Sequence, residues 1–273
     1  MICRRALAAA WFALALPFTT SPVSPAAAET PSTPIRVLFL GNSLTYVGNL
    51  PAVFAAVCQA SGHVCSVDMI VKGGAALHDR VADRTLERAD VANHFDYLVL
   101  QEHGGDLIEL PDASAKVSAE RAAESLAKTA RRLGMKPILM GTYQPGPASA
   151  SLVAAESALA AKLMVAHVSV SNYLDCGKRE DSSLRWFYSD GMHPGSDLTL
   201  MMAVGLHHEI FGTYPPAAAI DVRAPVYGAS SGLTSDRFAS AQPVHAGTTS
   251  SVHYDAATVQ ALLAVLRSPC PKS

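Results

Sequence analysis

Three residues of the chain have the types and the spacing that acyl transfer needs. Ser43 lies in the sequence Gly41-Asn42-Ser43, directly after a short apolar run. Asp190 and His193 are three residues apart in the sequence Asp-Gly-Met-His-Pro. A serine hydroxyl attacks a carbonyl only when a base takes its proton, and a third group must orient that base. We therefore interpret Ser43 as the nucleophile, His193 as its base, and Asp190 as the residue that orients and charges the imidazole.

Acyl transfer also needs hydrogen-bond donors for the developing oxyanion, each contributing roughly 3 kcal/mol. The backbone N–H of Ser43 is one candidate. The N–H of Gly74 is a second, because a residue without Cβ lets its backbone approach the substrate closely. The side-chain amide of Gln101 is a third candidate. Four neighbouring residues are candidate substrate contacts: Asn42, Gly73, Glu102 and His103. For Glu102 and His103 the alternative is a pair that only stabilises its loop.

The elements around these residues predict an α/β fold. Predominantly apolar runs of strand length occur at 35–40, 67–71, 97–101, 137–141 and 168–170. Helical patterns occur at 50–60, 79–92, 112–133, 149–165 and 195–211. Apolar strands that alternate with helices indicate a parallel sheet that is buried on both faces. We expect a three-layer, doubly wound parallel sheet of about five strands, in one domain over 35–273. That domain includes a loop-rich region at 215–254 and a C-terminal helix at 255–267.

Such a sheet would bring the distant candidate residues to one place. Ligands of open parallel sheets bind outside the carboxyl ends of the strands. Ser43, the pair Gly73-Gly74 and the run Gln101-Glu102-His103 each follow a predicted strand. Each signal alone is weak, since turns and helix caps use the same residue types. Their order on successive strand ends makes the combination specific.

These motifs resemble the blocks of the SGNH (GDSL-type) hydrolase superfamily. Gly41-Asn42-Ser43-Leu44 resembles the first block, with Asn42 where the commoner pattern has aspartate. Gly73-Gly74 resembles the second block, and Asp190 to Pro194 resembles the last. The resemblance spans about 35–215. It implies a flavodoxin-like strand order and ester hydrolysis without metal or cofactor.

The third block departs from this pattern. The commonest members have Gly-x-Asn-Asp after the third strand, and the asparagine side chain lies in the oxyanion hole. Here the chain reads Gln101-Glu102-His103-Gly104. Some branches of the superfamily have a glutamine here, so the resemblance implies that Gln101 takes the role of that asparagine.

The first 28 residues have the organisation of a signal peptide. Arg4 and Arg5 precede an apolar run at 6–18, and Ala26-Ala27-Ala28 satisfies the A-x-A cleavage pattern. An uncleaved anchor is the alternative. Residues 29–34 read as a linker. We therefore expect an exported protein, periplasmic or secreted, without a membrane span after cleavage.

Charge and cysteine content narrow the partners. Loss of the signal peptide leaves a net charge of about −4 and no basic run, which argues against nucleic acid. Four cysteines remain, and an even number in an oxidising compartment suggests disulfides. We favour Cys58–Cys65 and Cys176–Cys270 over four free thiols. The chain contains no C-x-x-C pair, so the cysteines do not indicate a zinc or redox site.

The sequence thus predicts an exported serine ester hydrolase that acts through an acyl-enzyme on small-molecule or glycan esters, short-chain or O-acetyl esters among them. One alternative is a non-catalytic protein that binds a glycan or another ligand on the same fold. A second is a phosphate- or nucleotide-binding domain with Gly41-Asn42-Ser43 at a helix N-terminus. The second is disfavoured because the chain has neither a Walker-type lysine nor a G-x-G-x-x-G run.

Overall fold

The computed structural model describes residues 33–234 and 249–268, apart from residues 90, 91, 93 and 111. All of them belong to one compact unit, Ser32–Ser273. The predicted signal peptide at 1–28, and the linker up to residue 32, lie outside the described residues.

Strands and helices alternate along most of the described chain. In order they are β1 (Ile35–Gly41), α1 (Ser43–Tyr46), α2 (Leu50–Ala60), β2 (Cys65–Val71), α3 (Leu77–Ala82), α4 (Thr85–Arg88), β3 (Tyr97–Gln101), α5 (Ala113–Arg132), β4 (Lys136–Met140), α6 (Pro147–Leu163), β5 (Ala166–Val168), α7 (Val170–Glu180), α8 (Ser196–Phe211), β6 (Ile220–Pro225), β7 (Thr249–Tyr254) and α9 (Ala256–Arg267). A short 3₁₀ helix, Asp106–Ile108, follows β3.

The central sheet has five parallel strands in the order β2-β1-β3-β4-β5. This confirms the predicted three-layer α/β fold and its flavodoxin-like order. Side chains alternate between the two faces because a strand has a period of two. In β1, Val37 and Phe39 pack with α2, α7, α8 and α9, whereas Leu38 and Leu40 pack with α3, α4, α5 and α6. Both faces are therefore covered, and the carboxyl edge of the sheet is left for a site.

Two predicted elements, the helix at 79–92 and the strand at 168–170, have different bounds in the structure. The predicted helix at 79–92 is two short helices, α3 and α4, because Arg84 between them has a left-handed backbone with φ of 51°. The predicted strand at 168–170 ends at Val168, and Val170 begins α7. Both Val168 and Val170 are fully buried, so their apolar pattern did not distinguish a strand from a helix start.

The region at 215–254, predicted to be mostly loop, contains two strands. β6 and β7 pair in an antiparallel two-stranded sheet. In β6, Ile220 and Val222 are buried while Asp221 and Arg223 between them are exposed. That alternation is typical of a half-buried strand. The high content of Ala, Ser, Gly, Thr and Pro in the region concealed it.

A disulfide joins Cys58 near the end of α2 to Cys65 at the start of β2, with the Cα atoms 6.1 Å apart. It closes the tight connection between the helix and the strand, as the spacing predicted. The second predicted bridge, Cys176–Cys270, ends at Cys270, which lies outside the described residues. Within the described ranges, no helix is both long and apolar enough to cross a membrane.

Candidate active site

Ser43 lies at the carboxyl end of β1, as the first residue of the one-turn helix α1. Asn42 before it has an extended backbone and caps this helix, since its Oδ1 accepts the N–H of Leu44 at 3.0 Å. Ser43 is half-buried. Neither its backbone N–H nor its hydroxyl has a hydrogen-bond partner within the described part of the chain. Both groups are therefore free to contact a ligand.

Asn42 joins three loops at the edge of the sheet. Its Nδ2 donates to the carbonyl of Ala75 at 3.0 Å, after β2, and to the carbonyl of Glu102 at 3.2 Å, after β3. Only 1% of the residue is exposed. The side chain of Asn42 is enclosed and its amide is fully used, whereas the predicted substrate contact of this residue stays a prediction. Asn42 fixes the position of Ser43 relative to the two neighbouring loops.

The loop after β2 presents Gly73 and Gly74 to solvent. Gly74 has φ of 69°, a left-handed conformation that favours glycine. A Cβ at Gly74 would meet no atom within 4 Å, so the glycine is required by its backbone conformation and not by packing. In the described ranges, no acceptor binds the Gly74 N–H, whereas the Gly73 N–H donates to Leu233. A second free backbone donor therefore lies on the loop that Asn42 ties to Ser43.

Asp190 and His193 form a hydrogen-bonded pair. Asp190 Oδ2 is 2.7 Å from His193 Nδ1, and Asp190 Oδ1 accepts the backbone N–H groups of Met192 at 2.9 Å and His193 at 3.0 Å. These two N–H groups and the imidazole lower the pKa of Asp190 to about 2. The carboxylate is therefore charged at neutral pH. The carboxylate faces Nδ1 of His193 and accepts a hydrogen bond there. In that tautomer the other ring nitrogen, Nε2, is an acceptor.

The loop that carries this pair is closed at its base. The Tyr188 N–H donates to the His193 carbonyl at 2.8 Å, and Phe187 and Pro194 form an isolated antiparallel bridge. Below this bridge, Arg185 binds the buried carboxylate of Asp197, which lies in the first turn of α8. The base of the loop is therefore anchored to a buried helix.

The loops after β1, β3 and β4 meet at the same edge. A Cβ at Gly104 would lie 3.4 Å from Gln144 Nε2 and 3.9 Å from the side chain of Leu44, next to Ser43. Tyr143, beside Gln144, donates from its hydroxyl to the carbonyl of Met192 at 2.7 Å. These contacts bring the loop of Asp190 and His193 to the edge that carries Ser43. No hydrogen bond joins the Ser43 hydroxyl to His193 within the described residues.

The side chain of Gln101 is enclosed in this structure, and its predicted role as a third oxyanion donor stays a prediction. Only 1% of the residue is exposed, and its Oε1 accepts the hydroxyl of Thr45. Its Nε2 is buried and has no partner among the described residues. The side chain lies beneath the first turn of α1, where it packs against Gly41.

Glu102 and His103 follow Gln101 but differ in exposure. Glu102 is 3% exposed, and its Oε1 accepts the N–H groups of Leu77 and His103, each at 2.8 Å. Burial raises the pKa of its carboxyl, although these two N–H groups oppose the rise. These contacts favour the alternative that Glu102 stabilises its loop, and the predicted substrate contact at Glu102 stays a prediction. His103 is exposed, with Nδ1 2.9 Å from Asp106 Oδ1.

Tyr143 and Glu156 both contribute to this region, and the sequence patterns did not single them out. Tyr143 follows the fourth strand, so its place on a strand end was a usable signal. Thr142 before it is held by Glu156, whose Oε1 accepts both the Thr142 N–H at 2.7 Å and its hydroxyl at 3.1 Å. Glu156 lies in α6 and is 1% exposed, and no sequence pattern links it to the site.

Cavities open on the described surface of the protein. A cavity of about 730 Å³ between α2, β2 and β6 includes none of the predicted site residues. A second cavity of about 410 Å³ is lined by Gly74 and His103. No cluster of three or more His, Cys, Asp or Glu side chains within the described ranges has an arrangement suited to a metal ion.

Comparison with known proteins identifies the fold through solved structures. No family model and no curated protein matches the sequence. The chain is similar to a candidate SGNH hydrolase from Slackia heliotrinireducens, with a TM-score of 0.53 and 24% identity over 65% of this chain and 100% of that one. It is also similar to TesA (TM-score 0.50, 19% identity, 65% and 98%) and to the acetyl xylan esterase AlAXEase (TM-score 0.51, 14% identity, 65% and 100%). The chain has the fold of the SGNH (GDSL-type) hydrolases.

Proposed function

We propose that the protein is an exported hydrolase of carboxylic esters, with Ser43 as nucleophile, His193 as general base and Asp190 as the residue that orients it. The observation that carries this proposal is the Asp190–His193 pair, 2.7 Å apart, on a loop fixed at the edge where Ser43 lies. Three hydrogen bonds hold Asp190 as a carboxylate facing Nδ1. The other imidazole nitrogen is then the acceptor that a serine hydroxyl requires.

Two backbone groups form the proposed oxyanion hole. The N–H groups of Ser43 and Gly74 have no acceptor within the described part of the chain, and Asn42 ties their loops together. An unpaired N–H beside a nucleophile is suited to receive a carbonyl oxygen as its charge develops. We leave Gln101 out of this hole, because its amide is enclosed.

The reaction proceeds in two stages. Ser43 Oγ attacks the ester carbonyl while His193 Nε2 takes the hydroxyl proton. The tetrahedral intermediate collapses, the alcohol oxygen leaves with that proton, and an acyl-enzyme remains. A water then attacks the acyl carbon and gives its proton to Nε2. Release of the carboxylic acid restores the Ser43 hydroxyl.

Export is supported by the signal-peptide pattern at 1–28 and by the Cys58–Cys65 disulfide, since disulfides persist in oxidising compartments. Export is tested by expressing the protein in a bacterial host and determining the N-terminal residue of the protein recovered from outside the cytoplasm. We expect Glu29 as the first residue, and an intact Met1 in the cytoplasm would contradict the proposal.

The activity is tested with Ser43→Ala and the nitrophenyl ester p-nitrophenyl acetate. We expect turnover to fall at least 10³-fold, as for loss of other serine nucleophiles, with the thermal unfolding curve unchanged. Ser61→Ala is the matched control. It removes a half-buried serine hydroxyl that binds the Val57 carbonyl at the end of α2, and it should retain full activity. Activity that survives in Ser43→Ala would refute the assignment.

A fluorophosphonate probe tests the non-catalytic alternative. An activated Ser43 should be labelled stoichiometrically in the wild type and not in Ser43→Ala. A folded wild-type protein that resists labelling and hydrolyses no ester would instead support a binding protein on this fold.

A further inference from the structure

The segment that follows β6 crosses the carboxyl edge of the sheet. We call this segment, residues 226–234, the strap. It lies beyond the part of the chain, about 35–215, that resembles the SGNH motifs. The strap nevertheless contacts the loops that carry the proposed nucleophile, oxyanion donor and base, as the next three paragraphs describe.

The strap first meets the turn that carries Ser43. Tyr227 forms a parallel bridge with Val47, and its carbonyl accepts the Gly48 N–H at 3.2 Å. Tyr227 is buried, and its ring packs edge-on against that of Tyr46, with the ring centroids 6.4 Å apart. Tyr46 is the last residue of α1, the one-turn helix that Ser43 begins. The strap therefore packs directly on the helix of the proposed nucleophile.

The end of the strap lies on the loop of the proposed oxyanion donor. Thr234 forms an antiparallel bridge with Lys72, the residue after β2. The Leu233 carbonyl accepts the N–H of Gly73 at 3.3 Å. Leu233 is itself partly buried and packs against the hydrophobic core. Gly73, which precedes the proposed donor, is therefore bound to an anchored residue.

The middle of the strap approaches the loop of the proposed base. A Cβ at Gly228 would lie 3.2 Å from the Tyr188 hydroxyl oxygen. Tyr188 donates its backbone N–H to the His193 carbonyl at 2.8 Å. One segment thus contacts all three loops of the proposed active site.

Gly73 is held from two sides. Its N–H binds the strap, and a Cβ on it would lie 3.0 Å from the hydroxyl oxygen of Tyr46. Apart from the chain neighbours of Gly73, no other atom of the described residues lies within 4 Å of that Cβ position. Only 1% of Tyr46 is exposed, so its ring has little room to move away. Gly73 therefore lies between the strap and the ring on which the strap packs.

The peptide between Gly73 and Gly74 carries the proposed oxyanion donor. The Ala75 N–H donates to the Lys72 carbonyl at 3.2 Å, so residues 72–75 form a β-turn. The φ of 69° at Gly74 is what a type II turn requires at its third position. A type I turn differs from type II by a rotation of the central peptide, which reverses the direction of its N–H. The direction of the Gly74 N–H therefore depends on the groups that hold Gly73.

We propose that Tyr46 is a positioning residue of the active site, and that the strap holds its ring against Gly73 so that the Gly74 N–H faces the substrate carbonyl. The assignment rests on the proposed function, because that function makes Gly74 the oxyanion donor. Tyr46 acts through Gly73 and contacts no reacting atom. An oxyanion donor acts mainly in the transition state, so its displacement lowers kcat and leaves KM nearly unchanged.

A pair of substitutions tests the contact between Tyr46 and Gly73. Gly73→Ala places a methyl group 3.0 Å from the Tyr46 hydroxyl oxygen, so the loop must shift by a few tenths of an ångström. We expect kcat for p-nitrophenyl acetate to fall about tenfold at nearly constant KM, which is less than the roughly 10²- to 10³-fold cost of losing an oxyanion donor. Tyr46→Phe removes the oxygen that the methyl group meets. The double variant Gly73→Ala/Tyr46→Phe should therefore recover the kcat of Tyr46→Phe alone.

Tyr227→Phe is the matched control for this rescue. It removes a hydroxyl from the neighbouring tyrosine, whose oxygen is not within 4 Å of the Gly73 methyl position. Added to Gly73→Ala, it should restore no activity. If Gly73→Ala lowered kcat equally with and without Tyr46→Phe, the positioning role of Tyr46 would be wrong.

Tyr227→Leu tests the contribution of the strap. It keeps an apolar side chain but removes the ring that packs edge-on against Tyr46. We expect kcat to fall about fivefold with KM nearly unchanged. Tyr214→Leu is the control, because it removes a partly buried tyrosine that binds the Leu266 carbonyl of α9. It should reduce stability without changing the kcat of the folded protein. Equal kcat values in Tyr227→Leu and the wild type would overturn the role of the strap.

Hydrogen exchange of the Gly73 N–H, measured by NMR, requires no turnover and separates this proposal from the proposed function. In a Ser43→Ala background, Tyr227→Leu should accelerate this exchange about tenfold, because the bond to the strap opens more often. Tyr214→Leu should leave it unchanged. Acceleration by Tyr227→Leu alone would support the strap even if no ester were hydrolysed. Hydrolysis of p-nitrophenyl acetate, with exchange and kcat unaffected by Tyr227→Leu, would retain the esterase and overturn the positioning role.

Discussion

The Tyr143 hydroxyl donates a hydrogen bond of 2.7 Å to the backbone carbonyl of Met192, between Asp190 and His193. Tyr143 follows β4, and Thr142 before it is bound by the buried Glu156 of α6. The fourth strand of the sheet thus contacts the loop of the proposed base, which lies some 50 residues further along the chain. Burial raises the pKa of Tyr143, so the phenol keeps its proton and remains a donor at neutral pH.

Removal of this hydroxyl tests whether it positions the base. Tyr143→Phe should lower kcat about three- to tenfold, which corresponds to one hydrogen bond of roughly 1 kcal/mol, and should leave KM nearly unchanged. Tyr173→Phe, which changes another partly buried tyrosine on α7, is the control and should have no effect on kcat. Steady-state kinetics on p-nitrophenyl acetate separate the two parameters. A raised KM with unchanged kcat would show that Tyr143 contacts substrate and does not position His193.

A substitution at Asn42 tests whether its contacts with the two neighbouring loops position Ser43. Asn42→Asp restores the residue of the commoner SGNH pattern, but a carboxylate has no N–H for the carbonyls of Ala75 and Glu102. Two buried acceptors would lose their donor, and we expect destabilisation on the order of 2–4 kcal/mol and at least a tenfold loss of kcat. Urea unfolding and kinetics at a temperature where the variant is folded measure the two effects.

Asn49→Asp is the matched control for this change. Asn49 is also a buried helix cap whose amide donates to a backbone carbonyl, that of Pro225, but it lies before α2. It should destabilise the protein without reducing the kcat of the folded fraction. Equal losses of kcat in both variants would show that general loosening, and not the position of Ser43, explains the effect of Asn42→Asp.

Strand-end residues could be predicted from the sequence, and their side-chain directions could not. Apolar runs predicted the five parallel strands, and the carboxyl-end rule predicted that Ser43, Gly74 and Gln101 lie at one edge of the sheet. The environments of Asn42, Gln101 and Glu102 depend on which neighbouring loop each side chain meets. Glu102 and the exposed His103 are adjacent, yet only the three-dimensional packing of α3 against Glu102 distinguishes them.

Asp190→Asn tests the orienting carboxylate. An amide at this position can still accept the N–H groups of Met192 and His193, so the loop should remain folded. Its NH₂ would face His193 Nδ1 and favour the tautomer that has its proton on Nε2, which cannot accept the Ser43 proton. We expect kcat to fall by roughly 10²- to 10⁴-fold. A loss of less than threefold would mean that Asp190 is not needed to orient the base.

The lowered pKa of Asp190 also predicts how stability depends on pH. A folded-state pKa of about 2 lies below the unfolded value of roughly 3.9, so the native state favours the carboxylate. The resulting stabilisation is present above the unfolded pKa and is lost as pH falls through about 2. Thermal unfolding between pH 5 and pH 2 should therefore show a smaller decrease in Tm for Asp190→Asn than for the wild type. Parallel curves would contradict the hydrogen-bonded carboxylate.

Glu102 has the opposite pH behaviour. Burial raises its pKa in the folded state, so folding favours the protonated acid, and stability is lost as pH rises from the unfolded pKa through the folded one. Glu102→Gln keeps the Oε1 acceptor for Leu77 and His103 but carries no charge. Its unfolding free energy should therefore increase relative to the wild type between pH 4 and pH 7.5. Its kcat should stay within about twofold, since the proposed mechanism uses His193, and not the Glu102 carboxylate, as its base.

Glu102→Leu completes this comparison, because it removes the charge and the acceptor together. The buried N–H groups of Leu77 and His103 would lose their partner, and we expect Glu102→Leu to be about 2–4 kcal/mol less stable than the equally uncharged Glu102→Gln at every pH. Displacement of the loop after β3 should also lower kcat, because the Glu102 carbonyl accepts the amide of Asn42 beside Ser43. Urea unfolding at the two pH values and kinetics on p-nitrophenyl acetate distinguish these effects. If Glu102→Gln lost as much activity as Glu102→Leu, the carboxylate itself would take part in the reaction, and the loop-stabilising role would be wrong.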